Sequence, residues 1–473
     1  MSNEEYFDDE EFRELLHDYE KTVSLHMPVF MDADDLADIA DYYQLNNRRD
    51  DARQAIERAI ELQPDSVAAL NYLIHESINK EEYQEAEDYL SQILDKTLPE
   101  YIYCRAEIWM AQGMTEQADL YLREQLKTIP DDEYQDYVLD VANLWTAEYG
   151  NSEKGMEWMM RANPEESDDF KELLGRTYMG LGKYDDSERI FNELIDKNPF
   201  QKRYWNALSS TLYMKEDYSA ALSSSEYAIA IAPEDPEGLL AKANALFRLD
   251  NYEEALEYYE RYSKREPYDE YALLYQGGCL INLQQYDKAV ERLKKAEKLA
   301  SIDSAYLSEI YQELAFIYGE QGLVELALHY LDKTMNMDCD HVEMMIIRGH
   351  IQLQNGQKEQ ASKSFKQAAR LSGYSSQTLM RIAVSVYDNQ YLETAYNMFL
   401  HYFDMVDNNC NNGYSYMALC CYDLHRYNEY LNYLQEACRR NPVEATKVLS
   451  ILFPEGMSPD NYYEYAMKNL NES

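Results

Sequence analysis

Three versions of one short pattern decide the fold: Asp217-Tyr218-Ser219-Ala220-Ala221, Asn251-Tyr252-Glu253-Glu254-Ala255 and Gln285-Tyr286-Asp287-Lys288-Ala289. The last residue of the pattern, the anchor, recurs at positions 52, 86, 118, 155, 187, 221, 255, 289, 327, 361, 395 and 430. These twelve positions span 378 residues in eleven intervals, a mean of about 34.4 residues, and nine of them are alanine. A period of this length indicates twelve repeated structural units rather than a set of independent domains.

The prolines follow the same period. Six of the 12 prolines lie twelve residues after an anchor: Pro64, Pro130, Pro199, Pro233, Pro267 and Pro442. Because proline cannot continue a helix, this placement predicts that the second helix of each repeat ends there and the next repeat begins.

Each repeat has the pattern of two packed helices. With the anchor numbered as position 20, positions 4, 7, 8 and 11 are apolar or small, as in Trp205, Leu208 and Leu212, and they share one helical face. A small anchor on the second helix allows the two helices to approach to about 8–10 Å. One repeat cannot bury both of its apolar faces, so neighbouring repeats must stack to form the core.

The 34-residue period, the small residue at position 20 and the proline near position 32 resemble the tetratricopeptide repeat family. The segment from Leu173 through Ser187 to Pro199 matches the family pattern well. The resemblance covers about residues 33–444 and implies an all-α fold, an α-solenoid in which about twelve helix-turn-helix repeats form a right-handed superhelix. The expected domains are an acidic N-terminal capping helix (1–32), repeats one to four (33–167), repeats five to eight (168–303), repeats nine to twelve (304–444) and C-terminal capping helices (445–473).

Two intervals depart from the period. The step from position 118 to 155 is 37 residues long and ends on Gly155 instead of alanine, so the fourth repeat is expected to be degenerate. The step from 289 to 327 is 38 residues long, with extra residues near Ser301–Ser304. Either tolerated variation of loop length or, in the fourth repeat, a hinge explains these departures.

The charge of the chain limits its partners. The 473 residues include 43 Lys and Arg against 88 Asp and Glu, a net charge of −45. Such a chain repels nucleic acids and anionic membrane surfaces. The sequence has no apolar run long enough to span a membrane and no secretory signal at its start. The seven irregularly spaced cysteines do not resemble a disulfide framework, so a reducing, cytoplasmic location is expected.

The sequence contains no motif of a known catalytic or cofactor site. It lacks a Gly-rich phosphate loop, His-Glu-x-x-His, Gly-x-Ser-x-Gly and Cys-x-x-Cys. Cys339 and His341 lie two residues apart, and a second group of cysteines lies between Cys410 and Cys438, but small buried core residues explain these cysteines better than a metal. We therefore predict no enzyme activity, no cofactor and no metal site; the repeats leave no segment for a catalytic domain.

The family resemblance implies that the first helix of each repeat lines a concave groove. In this chain positions 2, 5, 6, 9, 12 and 13 of the first helix lie opposite its packing face. In repeats five to eight these positions combine Arg and Asn, which hydrogen-bond peptide groups and carboxylates, with aromatic side chains that form apolar pockets. The predicted groove residues are Arg176, Arg203, Asn206, Tyr213, Asn244, Phe247, Arg248, Tyr271, Tyr275 and Asn282. A polar lining without a dedicated ligand is the simpler alternative.

The predicted function is a non-enzymatic scaffold or adaptor that binds a protein or peptide segment in this groove. The alternative is a regulatory sensor whose superhelix changes pitch when a partner binds. Residues 1–41 carry fourteen acidic residues against Arg13 and Lys21, so this segment itself is a second possible occupant of a mildly positive groove. The sequence leaves open the partner, the pathway and the oligomeric state.

Overall fold

The computed structural model describes residues 7–472, apart from residues 8, 9, 26, 28, 46, 47, 163–166, 302, 303, 338, 407–409 and 455. All regular secondary structure in these residues is helical, as predicted. The chain divides into two compact bodies, here called the N-terminal body (residues 1–272) and the C-terminal body (residues 273–473). The grouping of repeats into residues 33–167, 168–303 and 304–444 stays a prediction.

The helices of the first seven repeats follow a capping helix. They are α1 (Glu10–Ser24), α2 (Ala33–Leu45), α3 (Arg49–Leu62), α4 (Val67–Asn79), α5 (Tyr83–Leu90), α6 (Pro99–Ala111), α7 (Thr115–Gln125), α8 (Tyr134–Asn143), α9 (Ser152–Met159), α10 (Asp168–Gly180), α11 (Tyr184–Lys197), α12 (Lys202–Met214), α13 (Tyr218–Ile231), α14 (Pro236–Arg248) and α15 (Tyr252–Arg265). From α2 to α14, each even-numbered helix is the first helix of a repeat and packs on the helix that follows it.

The remaining helices continue the same alternation. They are α16 (Glu270–Asn282), α17 (Tyr286–Leu299), α18 (Leu307–Glu320), α19 (Val324–Lys333), α20 (His341–Gln354), α21 (Lys358–Leu371), α22 (Ser376–Asp388), α23 (Leu392–Met405), α24 (Tyr414–Asp423), α25 (Tyr427–Arg440), α26 (Pro442–Leu449) and α27 (Tyr462–Glu472). The boundary between the two bodies falls inside α16.

Small residues permit the close packing within each pair. Ala255 is fully buried at its anchor position. At the exceptional anchor Ser187, the hydroxyl donates a hydrogen bond of 2.8 Å to the carbonyl oxygen of Gly175, so a polar side chain is accepted in the core. A Cβ atom on Gly175 would lie 2.8 Å from the ring of Phe191, which explains why the facing residue is glycine.

The turn between the two helices of a repeat has a recurring conformation at position 15. Glu216, Asp250 and Gln284 all have positive φ angles, of 67°, 60° and 58°. In repeat six the amide of Asp217 donates to the carbonyl oxygen of Leu212 at 2.9 Å, and the amide of Glu216 donates to that of Tyr213 at 3.0 Å. This is the Schellman arrangement, which satisfies the last carbonyl groups of the first helix.

The fourth repeat keeps its helix pair although its anchor is glycine. Helix α8 continues as a π-helical turn over Leu144–Glu148 before α9 begins. A Cβ atom on Gly155 would collide with the hydroxyl of Thr146, so the wider π turn leaves space only for glycine. Trp145 and Trp158 are both buried here and fill the core of the repeat.

Both ends of the repeat array are covered. In α1, Phe12 is buried among the residues of repeat one, and the hydroxyl of Tyr43 donates to Glu20 at 3.2 Å. Part of the expected N-terminal cap, residues 1–6, 8, 9, 26 and 28, lies outside the described residues. At the other end, the rings of Phe453 and Tyr462 stack at 3.8 Å, which holds α27 against the last repeat.

Candidate protein-binding surface

The two arginines predicted at the start of the groove are neutralised by acidic residues of repeat five. Arg176 contacts Glu172 one turn away on α10, at 3.2 Å. Arg203 on α12 reaches the other oxygen of the same carboxylate at 3.1 Å and Asp169 at 3.6 Å. The positive charge expected in this part of the lining is therefore compensated within the chain.

The structure does not place Asn206 in the open groove, contrary to the sequence prediction. Its side chain is buried, with 1% exposure, and its Nδ2 donates to Asp235 Oδ2 at 2.8 Å and to Glu237 at 3.0 Å. Asp235 also accepts the amide of Gly238 at 2.9 Å and thus caps α14. Asn206 therefore joins one repeat to the start of the next and is not exposed to a ligand.

Tyr213, Phe247 and Arg248 lie at the ends of their first helices and contact the tyrosine that begins a second helix. Arg248 donates to the hydroxyl of Tyr218 at 2.6 Å and its guanidinium carbon lies 4.8 Å from that ring, while Tyr213 meets the same ring edge-on at 5.4 Å. Phe247 makes an edge-on contact of 5.5 Å with Tyr252. These side chains connect neighbouring helices and remain only partly exposed, apart from the exposed Arg248.

Asn244 keeps hydrogen-bonding capacity toward the lining. Its Oδ1 accepts the hydroxyl of Tyr259 at 2.6 Å and that of Tyr271 at 3.0 Å. Because both donors approach the oxygen, the amide orientation is fixed and the Nδ2 hydrogens are directed away from these rings. Asn244 and Tyr271 are both half-buried, and each orders the other's side chain.

The last two predicted groove residues, Tyr275 and Asn282, belong to the C-terminal body. Tyr275 is half-buried, and the exposed Asn282 donates to the carbonyl oxygen of Gly278, one turn earlier on α16, at 2.9 Å.

A cavity of about 450 Å³ lies on the lining face of the C-terminal body. It is formed by α18, α20, α22, α24 and α26, four of which are first helices of repeats nine to twelve. Its apolar lining consists of Phe316, Ile346, Ile347, Ile351, Met380, Val384 and Tyr416, and its polar lining of Glu343, His350, Arg381, Ser385, Asp388, Asn412 and Glu444.

The polar groups of this cavity are largely ordered by one another. Arg381 forms an ion pair with Glu343 of the preceding repeat. The Nδ1 atom of His350 lies 3.0 Å from the hydroxyl of Ser385 and 3.2 Å from the Nδ2 donor of Asn389. Since an amide nitrogen only donates, Nδ1 accepts and the ring proton is on Nε2.

The charge that remains in the cavity is negative. Burial lowers the pKa of His350, which keeps the imidazole neutral. Glu444 accepts the amide of Gly413 at 3.0 Å and so holds the start of α24. Asp388 is exposed at the edge. The cavity therefore combines an apolar floor with one exposed carboxylate.

These residues were absent from the sequence prediction, although the signal was available. Ile346, His350, Met380 and Val384 occupy repeat positions 5, 9, 5 and 9, the same positions that selected Asn206 and Asn244. The prediction concentrated on repeats five to eight because arginine there contrasted with the acidic chain. Applied to repeats ten and eleven, the same register would have found the cavity.

Comparison with known families supports the repeat assignment. Sequence profiles of the tetratricopeptide repeat match residues 38–102 and 173–236, 212–276, 271–299 and 342–373. The chain is a tetratricopeptide repeat protein. Tetratricopeptide repeats typically mediate binding between proteins, and every matched profile belongs to this family.

Solved tetratricopeptide repeat structures resemble the chain at low identity. Yeast Tom70 is 15% identical over 93% of this chain and 99% of its own, with a TM-score of 0.44. The APC/C hetero-tetramer Cut9–Hcn1 is 14% identical over 96% and 95%, with a TM-score of 0.38. A thermophilic tetratricopeptide repeat protein of Thermus thermophilus is 22% identical over 40% and 100%, with a TM-score of 0.32.

No curated protein sequence matches this tetratricopeptide repeat chain. Among its described residues, the helices are all too short or too polar to cross a bilayer.

Proposed function

We propose that this chain is a non-enzymatic scaffold that binds an extended or helical segment of another protein in the cavity of the C-terminal body. The observation that carries the proposal is the cavity itself, about 450 Å³ in volume and lined by apolar side chains from several repeats. Apolar pockets with a few fixed polar groups are the usual form of a ligand-binding site.

The chemistry of the cavity favours a segment with two or more apolar side chains. Ile347, Met380 and Val384 are each only partly buried, so a ligand would remove further apolar surface from water. A basic side chain on the same segment would meet Asp388 at the edge. Asn244 of the N-terminal body is a separate candidate contact, proposed on its directed amide.

The proposal is tested with peptides selected from a displayed random library on the purified chain and measured by calorimetry. The variant Val384→Arg places a charge on the apolar floor and is expected to weaken selected peptides at least tenfold. Leu371→Arg is the matched control, because Leu371 is 53% exposed on a second helix. Equal affinity for both variants, with unchanged helical content, would contradict the proposal.

The same peptides separate the scaffold from the regulatory sensor. A passive scaffold is expected to keep its small-angle X-ray scattering profile when peptide binds. A change in the radius of gyration that is absent in Val384→Arg would favour the sensor.

A further inference from the structure

A second group of reactive side chains lies in the N-terminal body, far along the sequence from the proposed cavity. His75 is on α4, and Cys104 and Glu107 are on α6, the first helices of repeats two and three. They occupy repeat positions 9, 6 and 9, all on the lining face. The imidazole, thiol and carboxylate ligand atoms all lie within 4.8 Å of one another, the one such group of three among the described residues.

The backbone positions these side chains for a shared ligand. Cys104 and Glu107 are three residues apart, so they project from the same side of α6. The carbonyl oxygen of Glu107 accepts the hydroxyl of Tyr149 at 2.8 Å, and Cys104 is only 1% exposed. Two of the three groups are therefore held by packed core, while the exposed side chain of His75 is free to adjust.

One atom of the group lacks a hydrogen bond. Glu107 is 9% exposed, and its Oε2 is buried without a hydrogen-bond partner among the described residues. It lies 3.3 Å from Nδ1 of His75. A buried carboxylate oxygen without a donor is costly, and a cation bound beside it would remove that cost.

The surroundings attract a cation. Asp41 of repeat one and Glu148 of repeat four both interact electrostatically with members of the group, Asp41 with His75 and Glu148 with Glu107.

We propose that His75, Cys104 and Glu107 bind one zinc(II) ion, with a water molecule in the fourth position. Thiolate, imidazole and carboxylate are the three zinc ligands of proteins, with bonds of about 2.0–2.3 Å. Tetrahedral bonds of that length place ligand atoms about 3.3–3.8 Å apart, so the His75–Glu107 distance of 3.3 Å already fits, and a separation at the 4.8 Å limit of the group would have to shorten by about 1 Å. Calcium and magnesium prefer sites made only of oxygen ligands.

In this proposal, zinc binding releases one proton and breaks one hydrogen bond. In the absence of metal, the thiol of Cys104 lies 2.8 Å from Oδ1 of Asn71 and donates to it. Zinc takes the thiolate, so the thiol proton passes to solvent and the zinc–sulfur bond replaces the hydrogen bond. No oxidant or reductant takes part.

The test uses the full chain, stripped of metal with a chelator and titrated with Zn²⁺ by calorimetry and with Co²⁺ by absorption spectroscopy. One Zn²⁺ per chain is expected, and Co²⁺ should give the sulfur-to-cobalt charge-transfer band of a thiolate ligand. Cys104→Ser should abolish that band, and both Cys104→Ser and His75→Ala should weaken Zn²⁺ binding at least about tenfold.

The chain offers a matched control in its other cysteine–histidine pair. Cys339 Sγ lies 3.7 Å from His341 Nδ1, and Cys339→Ser should leave both the band and the affinity unchanged. The His75→Ala variant is expected to fold normally, because the side chain of His75 is 46% exposed, so its loss of binding is not explained by misfolding. Absence of Zn²⁺ binding, a Co²⁺ spectrum without the thiolate band, or wild-type affinity in His75→Ala would overturn the proposal. Peptide binding in the C-terminal body is measured separately, so the two proposals can fail independently.

Discussion

Glu313 offers a sharp test of how the lining face of the C-terminal body is built. It lies on α18 at position 6 of repeat nine, one turn after Glu309. Burial, together with the smaller effect of the nearby Glu309 charge, raises the pKa of Glu313 from 4.5 to about 7. No ion pair or hydrogen bond compensates this carboxylate among the described residues. The perturbation is Glu313→Gln, which keeps the shape of the side chain and removes its charge.

The magnitude follows from the two pKa values. Each pKa unit corresponds to about 1.4 kcal/mol, so a rise from 4.5 to about 7 destabilises the ionised folded protein by up to about 3 kcal/mol. Because the folded state holds this proton more tightly, the contribution of Glu313 to stability is most favourable below pH 4.5, falls between pH 4.5 and about 7, and changes little above that. Glutamine has no proton to lose, so the variant should gain about 1–3 kcal/mol at pH 8 and almost nothing at pH 4.

The assay is urea unfolding of both proteins at pH 8 and pH 4, followed by the helical circular dichroism signal. Glu325→Gln is the matched control, because Glu325 is exposed on α19 and the same substitution should change little at either pH. A Glu313→Gln variant that is less stable at pH 8, or that gains equally at pH 4 and pH 8, would refute the account of a half-buried, uncompensated carboxylate.

Three further substitutions test the packing of the repeats. Ala255→Leu should lower the free energy of unfolding by about 1–3 kcal/mol, because it overpacks a fully buried anchor. The control Ala230→Leu, on an exposed face, should have little effect. Equal effects of the two substitutions in thermal melts would contradict the role of the anchor. Asp119→Ala should lower the free energy of unfolding by about 3–5 kcal/mol at pH 7, because the buried carboxylate accepts a hydrogen bond from the indole of Trp158 at 2.8 Å. Burial opposes ionisation of Asp119, but this hydrogen bond helps to lower its pKa. The loss of stability should therefore shrink as the pH falls below 4. Asp250→Gly should raise the unfolding midpoint by relieving about 1 kcal/mol at a φ of 60°, and a lower midpoint would argue against strain there.

The helices could be predicted closely because their determinants repeat. Positions 8 and 20 are small in most repeats, where two helices cross, and proline or a turn follows the second helix, so most repeats give independent evidence for the same boundaries. Ala255 and Ala289 are both fully buried, as the register requires. Even the exception at Gly155 has a local cause, the π turn around Thr146, that the sequence reveals only as a lengthened interval.

The candidate site could be predicted only in part, since its electrostatics depends on contacts between repeats. The register correctly assigned Arg176 and Arg203 to first helices but could not show that both reach Glu172. The register also placed Asn206 in the open groove. In the structure its side-chain amide donates a hydrogen bond to the capping residue Asp235 and is buried between two repeats. A net charge summed over positions does not include such pairing, because pairing depends on distances of a few ångströms.

Position 9 of the first helix shows how one scaffold supports different binding chemistry. The residue type there varies between repeats: it is Asp41, His75 and Glu107 in repeats one to three, Asn244 in repeat seven and Val384 in repeat eleven. The side chain there meets its equivalent in the adjacent repeat, as His75 meets Glu107 at 3.3 Å. Where the side chain at position 9 is exposed or partly exposed, as at His75 and Val384, a substitution changes the chemistry of the lining with little effect on the core. For this reason Val384→Arg and His75→Ala are expected to alter separate binding events in a chain that remains folded.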